Sequence, residues 1–169
     1  MIQDLTSLAA SAGALLAERG QTVAVAESSS GGLIAAALLA VPGASAYFKG
    51  GGVVYTGASK QILIGLSEEA MADARAATEA HALHLARAAR DRLDADWGIG
   101  ETGAAGPTGN RYGDPPGHSC IGVVGPLSRA VTVSTGSEDR AANMVAFAAA
   151  ALELLADCVT ESARLQGGR

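Results

Sequence analysis

Apolar residues recur with a helical period in several stretches of the chain. Between residues 4 and 19, six apolar residues from Leu5 to Leu16 share one face, and Gly20 ends the predicted helix. The same periodicity predicts five further helices, at residues 33–39, 58–64, a short one opening at Ser67, 78 to about 93, and 139 to about 161. The helix at 33–39 is apolar on every side, which predicts that it is buried.

Short apolar and β-branched runs between these helices are typical of strands. They predict strands at residues 22–26, 53–56, 96–100, 119–124 and 130–135. The last two are close enough to form a hairpin through residues 125–128. Residues 102–116 are rich in glycine and proline and predict a loop, and the tail at 166–169 is expected to fray.

Strands and helices alternate through the first two thirds of the chain, and a hairpin and a long helix follow. This order predicts the α/β class, as a three-layer α/β/α sandwich with a mixed β-sheet. The pattern contains no linker, repeat or low-complexity tract, so we expect residues 1–169 to form a single domain with its core at about 4–161.

Composition narrows the type of protein. Hydrophobic residues make up 49% of the chain but aromatic residues only 4%, so small and branched aliphatic side chains should build the core. No apolar run reaches the roughly 18 to 20 residues of a membrane span, and the N-terminus lacks the features of a secretory signal. We therefore expect a cytoplasmic protein without a membrane partner. The alanine-rich helices would serve a homo-oligomer or a monomer's core equally well.

Charged and metal-binding residues exclude two further classes. The net charge is −5, lysine occurs only at 49 and 60, and no basic run is present, which argues against a nucleic-acid partner. Cys120 and Cys158 are far apart and predict buried thiols rather than a disulfide or metal site. His81 and His84 lie three residues apart without a metal-binding motif, so no metal is expected.

A serine- and glycine-rich turn follows the first strand and precedes a buried helix. It runs from Glu27 through Ser28, Ser29 and Ser30 to Gly31 and Gly32. The unpaired N–H groups of a helix N-terminus can hold a phosphate or the oxyanion of a reacting amide. The alternative is plain N-capping by serine, with glycines chosen for close packing.

Three other segments carry candidate chemistry, each with a structural alternative. Lys60 could act as a general base if burial lowers its pKa, or could be a surface lysine. The glycine-rich loop that opens at Thr102 and Gly103 could line a pocket or simply connect two strands. Arg140 could clamp a phosphate or a carboxylate, or could belong to a solvated first helical turn capped by Asp139.

In this order the segments resemble the C-terminal domain family of the competence/damage-inducible protein CinA. The motifs are Ala26-Glu27-Ser28-x-x-Gly31-Gly32, Val41-Pro42-Gly43-Ala44-Ser45, Tyr55-Thr56-x-x-x-Lys60, Thr102-Gly103-x-Ala105-Gly106-Pro107 and, more weakly, Asp139-Arg140. Characterised members of that family include nicotinamide-nucleotide amidohydrolases. The resemblance covers roughly residues 22–155.

The resemblance implies roles for particular residues. Ser28 would be the nucleophile, Lys60 its base and Tyr55 a further member of the site. Substrate would be bound by Ser30, Gly31, Gly32, Thr102, Gly103 and Arg140. The implied reaction deamidates nicotinamide mononucleotide, a small nucleotide substrate, without a metal or an organic cofactor. Backbone N–H groups at 30–32 would hold the oxyanion.

The chain departs from the family pattern at several positions. Ser29 and Ser30 stand where the family usually has cysteine and threonine, and Glu101 stands where it has an apolar residue. The usual Lys-Pro-Val-Gly is replaced over residues 114–118, and two residues are inserted before Asp139. A related binding or regulatory module without turnover, and an amidohydrolase for another amide, therefore remain as alternatives.

Overall fold

Five strands form one mixed sheet in the computed structural model, which describes residues 1–168. The strands are β1 (Val23–Glu27), β2 (Phe48–Val53), β3 (Trp97–Ala104), β4 (His118–Val124) and β5 (Ser128–Ser134). Their spatial order is β2-β1-β3-β4-β5. Strand β1 is parallel to β2 and β3, whereas β4 is antiparallel to β3 and β5.

Six helices cover the sheet on its two faces. They are α1 (Thr6–Arg19), α2 (Leu33–Leu39), α3 (Gly57–Ile64), α4 (Glu68–Asp73), α5 (Glu79–Arg92) and α6 (Arg140–Gly167), with short 3-10 turns at Ile2–Leu5 and Ala44–Ala46. Residues of α1, α2 and α6 form one hydrophobic cluster with the sheet, and residues of α3 and α5 form a second. The predicted three-layer α/β/α sandwich with a mixed sheet is confirmed.

Alternation along β1 explains how one strand serves both layers. Val23 and Val25 join the cluster under α1, α2 and α6, whereas Ala24 and Ala26 join the cluster under α3 and α5. Successive side chains of a strand point to opposite faces, and β1 is buried on both.

Helix α5 lies very close to the sheet because glycines face it. A Cβ atom at Gly98 or Gly100 would clash with the carbonyl oxygens of Ala86 and Ala82 on α5. Gly122 on β4 is equally restricted by the backbone at Ala82. This close approach fixes the first turn of α5 against the sheet.

The largest differences from the predicted strand bounds are in β2 and β3. Strand β2 covers Phe48–Val53 rather than 53–56, so Gly50, Gly51 and Gly52 are inside it. A Cβ at Gly51 would come within 2.7 Å of the Val25 oxygen on β1, so close pairing overrides the weak strand propensity of glycine. Strand β3 continues to Ala104, because residues 98–104 all pair with β4, and the loop begins later than predicted.

The last helix is longer than predicted. It reaches Gly167 instead of ending near 161, so residues 166 and 167, which were expected to fray, are helical, and Arg169 lies outside the described residues. By length and composition alone α6 could cross a membrane. Half of its most apolar stretch is buried within the fold, as is usual for a core helix.

The three parallel strands end at the same edge of the sheet. Ser28 follows β1 directly, Tyr55 is the second residue after β2, and Thr102 lies near the end of β3. Because the carboxyl ends of neighbouring parallel strands meet at one edge, this edge gathers residues that are distant in sequence.

Candidate active site

A cavity of about 320 Å³ opens at this edge of the sheet. Five residues singled out from the sequence line it, namely Ser28, Tyr55, Lys60, Thr102 and Gly103. The rest of its wall comes from α3, from the segment before α5 and from the loop after β3, through Gly57, Ala76, Ala77, Asn110, Arg111 and Tyr112. The structure thus brings the predicted nucleophile and base to one cavity.

Lys60 is a buried lysine on α3, not a surface lysine. The helix begins with a capping box in which the Thr56 hydroxyl accepts from the N–H of Ser59 and the Ser59 hydroxyl accepts from the N–H of Thr56. Only 5% of Lys60 is exposed, and burial lowers the pKa of its amine, while the negative charge of Glu101 works in the opposite direction. The amine therefore meets the first requirement of a general base.

The Lys60 amine is held by a histidine that lies outside the motifs named above. The Lys60 Nζ atom lies 3.0 Å from His81 Nε2, and His81 Nδ1 lies 2.9 Å from the Ala74 oxygen. Burial, and then the charge of Lys60, lowers the pKa of His81 to about 4, so its ring is neutral at pH 7. Within residues 1–168, no hydrogen bond joins Lys60 directly to Ser28.

The turn that carries Ser28 is anchored from below by Glu101. Glu101 Oε2 accepts from the N–H of Ser28 at 3.0 Å and of Ser30 at 2.9 Å. Its other oxygen accepts from the hydroxyls of Ser29 and Ser119. The carboxylate is completely buried. Glu101, an acidic residue inside a buried strand, therefore anchors the serine turn through hydrogen bonds.

Glu27 occupies the N–H groups at the start of α2. Its carboxylate accepts from the N–H of Gly32 at 2.9 Å, of Ile34 at 3.1 Å and of Ala35 at 2.9 Å. The Ser30 hydroxyl lies 2.8 Å from Glu27 and 2.9 Å from Glu101, and so bridges the two acids. Burial raises the pKa of Glu27, and these hydrogen bonds oppose the shift.

This arrangement corrects the predicted oxyanion site. The backbone N–H groups of Ser30 and Gly32 donate to Glu101 and Glu27, and that of Gly31 donates to the backbone carbonyl oxygen of Ser28. Ser30, Gly31 and Gly32 do not line the cavity that holds Ser28 and Lys60. Within residues 1–168, the N–H of Ser29 is the donor of this turn that has no internal acceptor.

A second cavity of about 230 Å³ continues from the first. The two share Tyr55, Gly103 and Asn110. Arg140 lies in the wall of the second cavity, where one guanidinium nitrogen donates to the Gly106 oxygen at 2.6 Å. Arg140 therefore borders the site, although not the cavity that holds Ser28, and it also supports the glycine-rich loop.

Tyr55 and Thr102 both line the first cavity, but Tyr55 is exposed and Thr102 is buried. Tyr55 is 61% exposed at the boundary between the two cavities. Thr102 is buried, and its hydroxyl accepts from the N–H of Ala77 at 2.9 Å. Thr102 thus fixes the segment before α5 as well as lining the cavity.

An ion pair and two cation–π contacts support the outer wall of the first cavity. Arg75, in the segment between α4 and α5, donates two hydrogen bonds to Asp114, at 2.8 and 3.3 Å, and holds the pKa of that carboxyl below its usual range. The Arg75 and Arg111 guanidinium groups lie 4.7 and 4.9 Å from the Tyr112 ring centroid. The altered loop is therefore an ordered wall.

No group of three histidine, cysteine, aspartate or glutamate side chains suited to a metal ion occurs among residues 1–168. The polar groups that line the first cavity are four hydroxyls, an amine, an amide and a guanidinium, from Ser28, Tyr55, Thr102, Tyr112, Lys60, Asn110 and Arg111. A serine and a buried lysine line the same cavity, and serine–lysine pairs are among the variants of the nucleophile–base arrangement used in acyl transfer.

A protein-family model described as the CinA C-terminal domain matches residues 5–159. The chain belongs to this family. The resemblance inferred from the motifs is confirmed, and the matched range contains every candidate site residue named above. Membership agrees with the cavity but does not specify its substrate.

Two curated relatives illustrate the sequence similarity. A CinA-like protein of Gloeobacter violaceus is 42% identical over 136 residues, which cover 80% of this chain and 32% of that protein. A CinA-like protein of Chlorobium limicola is 38% identical over 152 residues, which cover 87% of this chain and 35% of that protein. The chain spans about a third of the length of these relatives.

Solved structures show the same fold. The competence/damage inducible protein CihA from Agrobacterium tumefaciens is 30% identical with a TM-score of 0.84, and the match covers 93% of this chain and 96% of that chain. A CinA superfamily protein from Klebsiella pneumoniae has a TM-score of 0.86 at 24% identity, covering 92% and 98% of the two chains. The latter likeness concerns the fold alone.

Proposed function

We propose that this member of the CinA C-terminal domain family is an amidohydrolase that converts nicotinamide mononucleotide to nicotinate mononucleotide and ammonia. The observation that carries the proposal is the placement of Ser28 and the buried Lys60 amine in one cavity. Only 7% of Ser28 and 5% of Lys60 is exposed, so bulk water has little access to either group.

In the proposed reaction, the Ser28 oxygen attacks the carboxamide carbon as its proton passes to the neutral Lys60 amine. The carbonyl oxygen gains negative charge, and the N–H of Ser29 is the donor available to it in this turn. When the carbon–nitrogen bond breaks, Lys60 returns the proton and ammonia leaves. Water then attacks the Ser28 ester, with Lys60 again as base, and releases the acid.

The two joined cavities suit a substrate with two parts. The carboxamide would lie in the cavity of Ser28 and Lys60, and the nucleotide phosphate would lie in the second cavity beside Arg140. Tyr55 stands between the two parts. A guanidinium group binds phosphate through paired hydrogen bonds, which suits Arg140 for this role.

The test is ammonia release from a panel of carboxamides by the purified protein. The panel contains nicotinamide mononucleotide, the matching riboside, free nicotinamide and glutamine. Fastest turnover of the mononucleotide supports the proposal. Turnover of glutamine alone would assign a different amide, and release from none of them would refute the amidohydrolase activity.

One observation favours a second function. Within residues 1–168, no hydrogen bond joins Lys60 to Ser28, and the charge of Glu101 opposes deprotonation of the Lys60 amine. A module that binds the nucleotide without hydrolysing it would have these features. Thermal stabilisation by nicotinamide mononucleotide without ammonia release would support this binding module.

The proposed location is the cytoplasm. Cys120 and Cys158 are both buried and unpaired thiols, which fits a reducing compartment. Measuring the protein's distribution between cell fractions would test this.

A further inference from the structure

His81 lies on the first turn of α5, between the candidate base and the backbone. Only 2% of the residue is exposed. Its two ring nitrogens have different partners, Lys60 Nζ at 3.0 Å and the Ala74 oxygen at 2.9 Å. The glycines of β3 hold α5 against the sheet, so this histidine has little freedom to move away.

The partner of one nitrogen determines the state of the other. A carbonyl oxygen only accepts hydrogen bonds, so His81 Nδ1 must carry the proton that it donates to Ala74. In a neutral ring the second nitrogen then has a lone pair. His81 Nε2 is therefore an acceptor, and Lys60 is its donor.

This hydrogen bond constrains the Lys60 amine. The nitrogen is tetrahedral, and one of its four directions is the bond to its carbon. A second direction holds the hydrogen donated to His81. In the neutral amine the two remaining directions hold a hydrogen and the lone pair, so the lone pair cannot point at His81. It is left free to face the cavity that Ser28 lines.

We propose that His81 is a positioning residue for Lys60 and directs the lone pair of the amine toward the Ser28 hydroxyl. The inference rests on the proposed function, in which Lys60 is the base. It adds a residue outside the motifs that carry the family resemblance. The long lysine side chain has several rotatable bonds, and a fixed acceptor reduces their freedom before the reaction begins.

Several charged groups face this pair and set the expected pH dependence. Glu101 on β3 favours the ammonium form of Lys60, and His84 on α5 adds a small effect on His81. Arg111, Tyr55 and Tyr112 line the cavity. Replacing His81 by an apolar residue removes an acceptor that favours the ammonium form, so it should lower the pKa of Lys60 further.

The kinetic test compares His81→Leu, His81→Gln and the control His84→Gln. His84 lies on the same helix but contacts Asp73 outside the cavity. We expect His81→Leu to lower kcat about tenfold with little change in KM and to move the ascending limb of the pH profile to lower pH. His81→Gln, which retains an acceptor oxygen, should recover much of the loss. Unchanged kcat and an unmoved limb in His81→Leu would overturn the proposal.

An NMR titration gives an answer that does not depend on turnover. The chain has two lysines, Lys49 and Lys60, so labelling the lysine side-chain nitrogen with ¹⁵N yields one buried signal and one exposed internal control. Lys60 should titrate below the ordinary range of a lysine amine, and lower still in His81→Leu. If the wild-type protein releases no ammonia, the proposed function fails while this titration still tests His81. A Lys60 signal that is unmoved in His81→Leu would refute its contact with His81.

Discussion

Replacing Glu101 by leucine should destabilise the fold by removing the acceptor beneath the serine turn. The buried N–H groups of Ser28 and Ser30 both donate to this carboxylate. An unsatisfied buried donor costs about 1–3 kcal/mol. Two such groups would cost about 2–6 kcal/mol, and the loss of a buried charge offsets part of this.

The hydroxyl partners of Glu101 should add little to that cost. The Ser30 hydroxyl keeps Glu27 at 2.8 Å, and the Ser119 hydroxyl keeps the Thr102 oxygen at 3.3 Å. Ser29 borders the second cavity and can reach water. We therefore expect a net loss of about 2–4 kcal/mol, a large part of the roughly 5–15 kcal/mol that stabilises a typical domain.

Glu101→Gln is the matched control, because it keeps the shape and one acceptor oxygen. The amide oxygen can face the two N–H groups, and the amide NH₂ can donate to the hydroxyls of Ser29 and Ser119, which can also accept. Its stability should stay within about 1 kcal/mol of the wild type. Because Glu101 raises the pKa of Lys60, this variant should also lower that pKa.

Urea unfolding followed by tryptophan fluorescence measures both variants. Trp97 is the single tryptophan, and it is fully buried on the same strand as Glu101. A loss of 2–4 kcal/mol should lower the unfolding midpoint by about 1–2 M urea. The anchoring role of Glu101 is refuted if Glu101→Leu unfolds at the wild-type midpoint, or if Glu101→Gln is destabilised as much as Glu101→Leu.

Three further substitutions test other parts of the site. Lys60→Met removes the proposed base and should reduce ammonia release at least about 100-fold. The urea midpoint should not fall, because a buried amine is replaced by an apolar side chain of similar length. Retained turnover would exclude Lys60 as the base. Arg140→Ala should raise KM for the mononucleotide about tenfold and leave kcat nearly unchanged, and an unchanged KM would remove its phosphate role. Asp114→Asn weakens the pairing with Arg75, so KM should rise a few-fold while thermal stability changes little, as is usual for an exposed ion pair; equal KM values would show that this wall does not contact substrate.

Several helix ends can be predicted from the sequence, because a helix stop or cap depends on residues only a few positions away. Gly20 and Gly65 end α1 and α3 in the left-handed conformation, and Ser67 caps α4 as predicted. The errors arise where tertiary pairing decides. The glycines of β2 resemble a linker until their pairing with β1 is known, and the end of β3 resembles a loop until β4 pairs with it.

The candidate site shows the same division. The motifs single out Ser28 and Lys60. The two residues share a cavity because each follows one of two neighbouring parallel strands, β1 and β2. The sequence did not place His81 in the site, because its contact with Lys60 depends on the packing of α5 against the sheet. The oxyanion donors were misassigned because sequence does not reveal that Glu27 reaches forward to cap α2.

The Ser28 hydroxyl is the group on which the proposed chemistry depends. The most direct measurement is ammonia release from nicotinamide mononucleotide by the wild-type protein and by Ser28→Ala, at equal concentrations of folded protein. We expect steady turnover by the wild type and a loss of at least about 100-fold in the variant. Turnover by Ser28→Ala at the wild-type rate would contradict the assignment of Ser28 as the nucleophile.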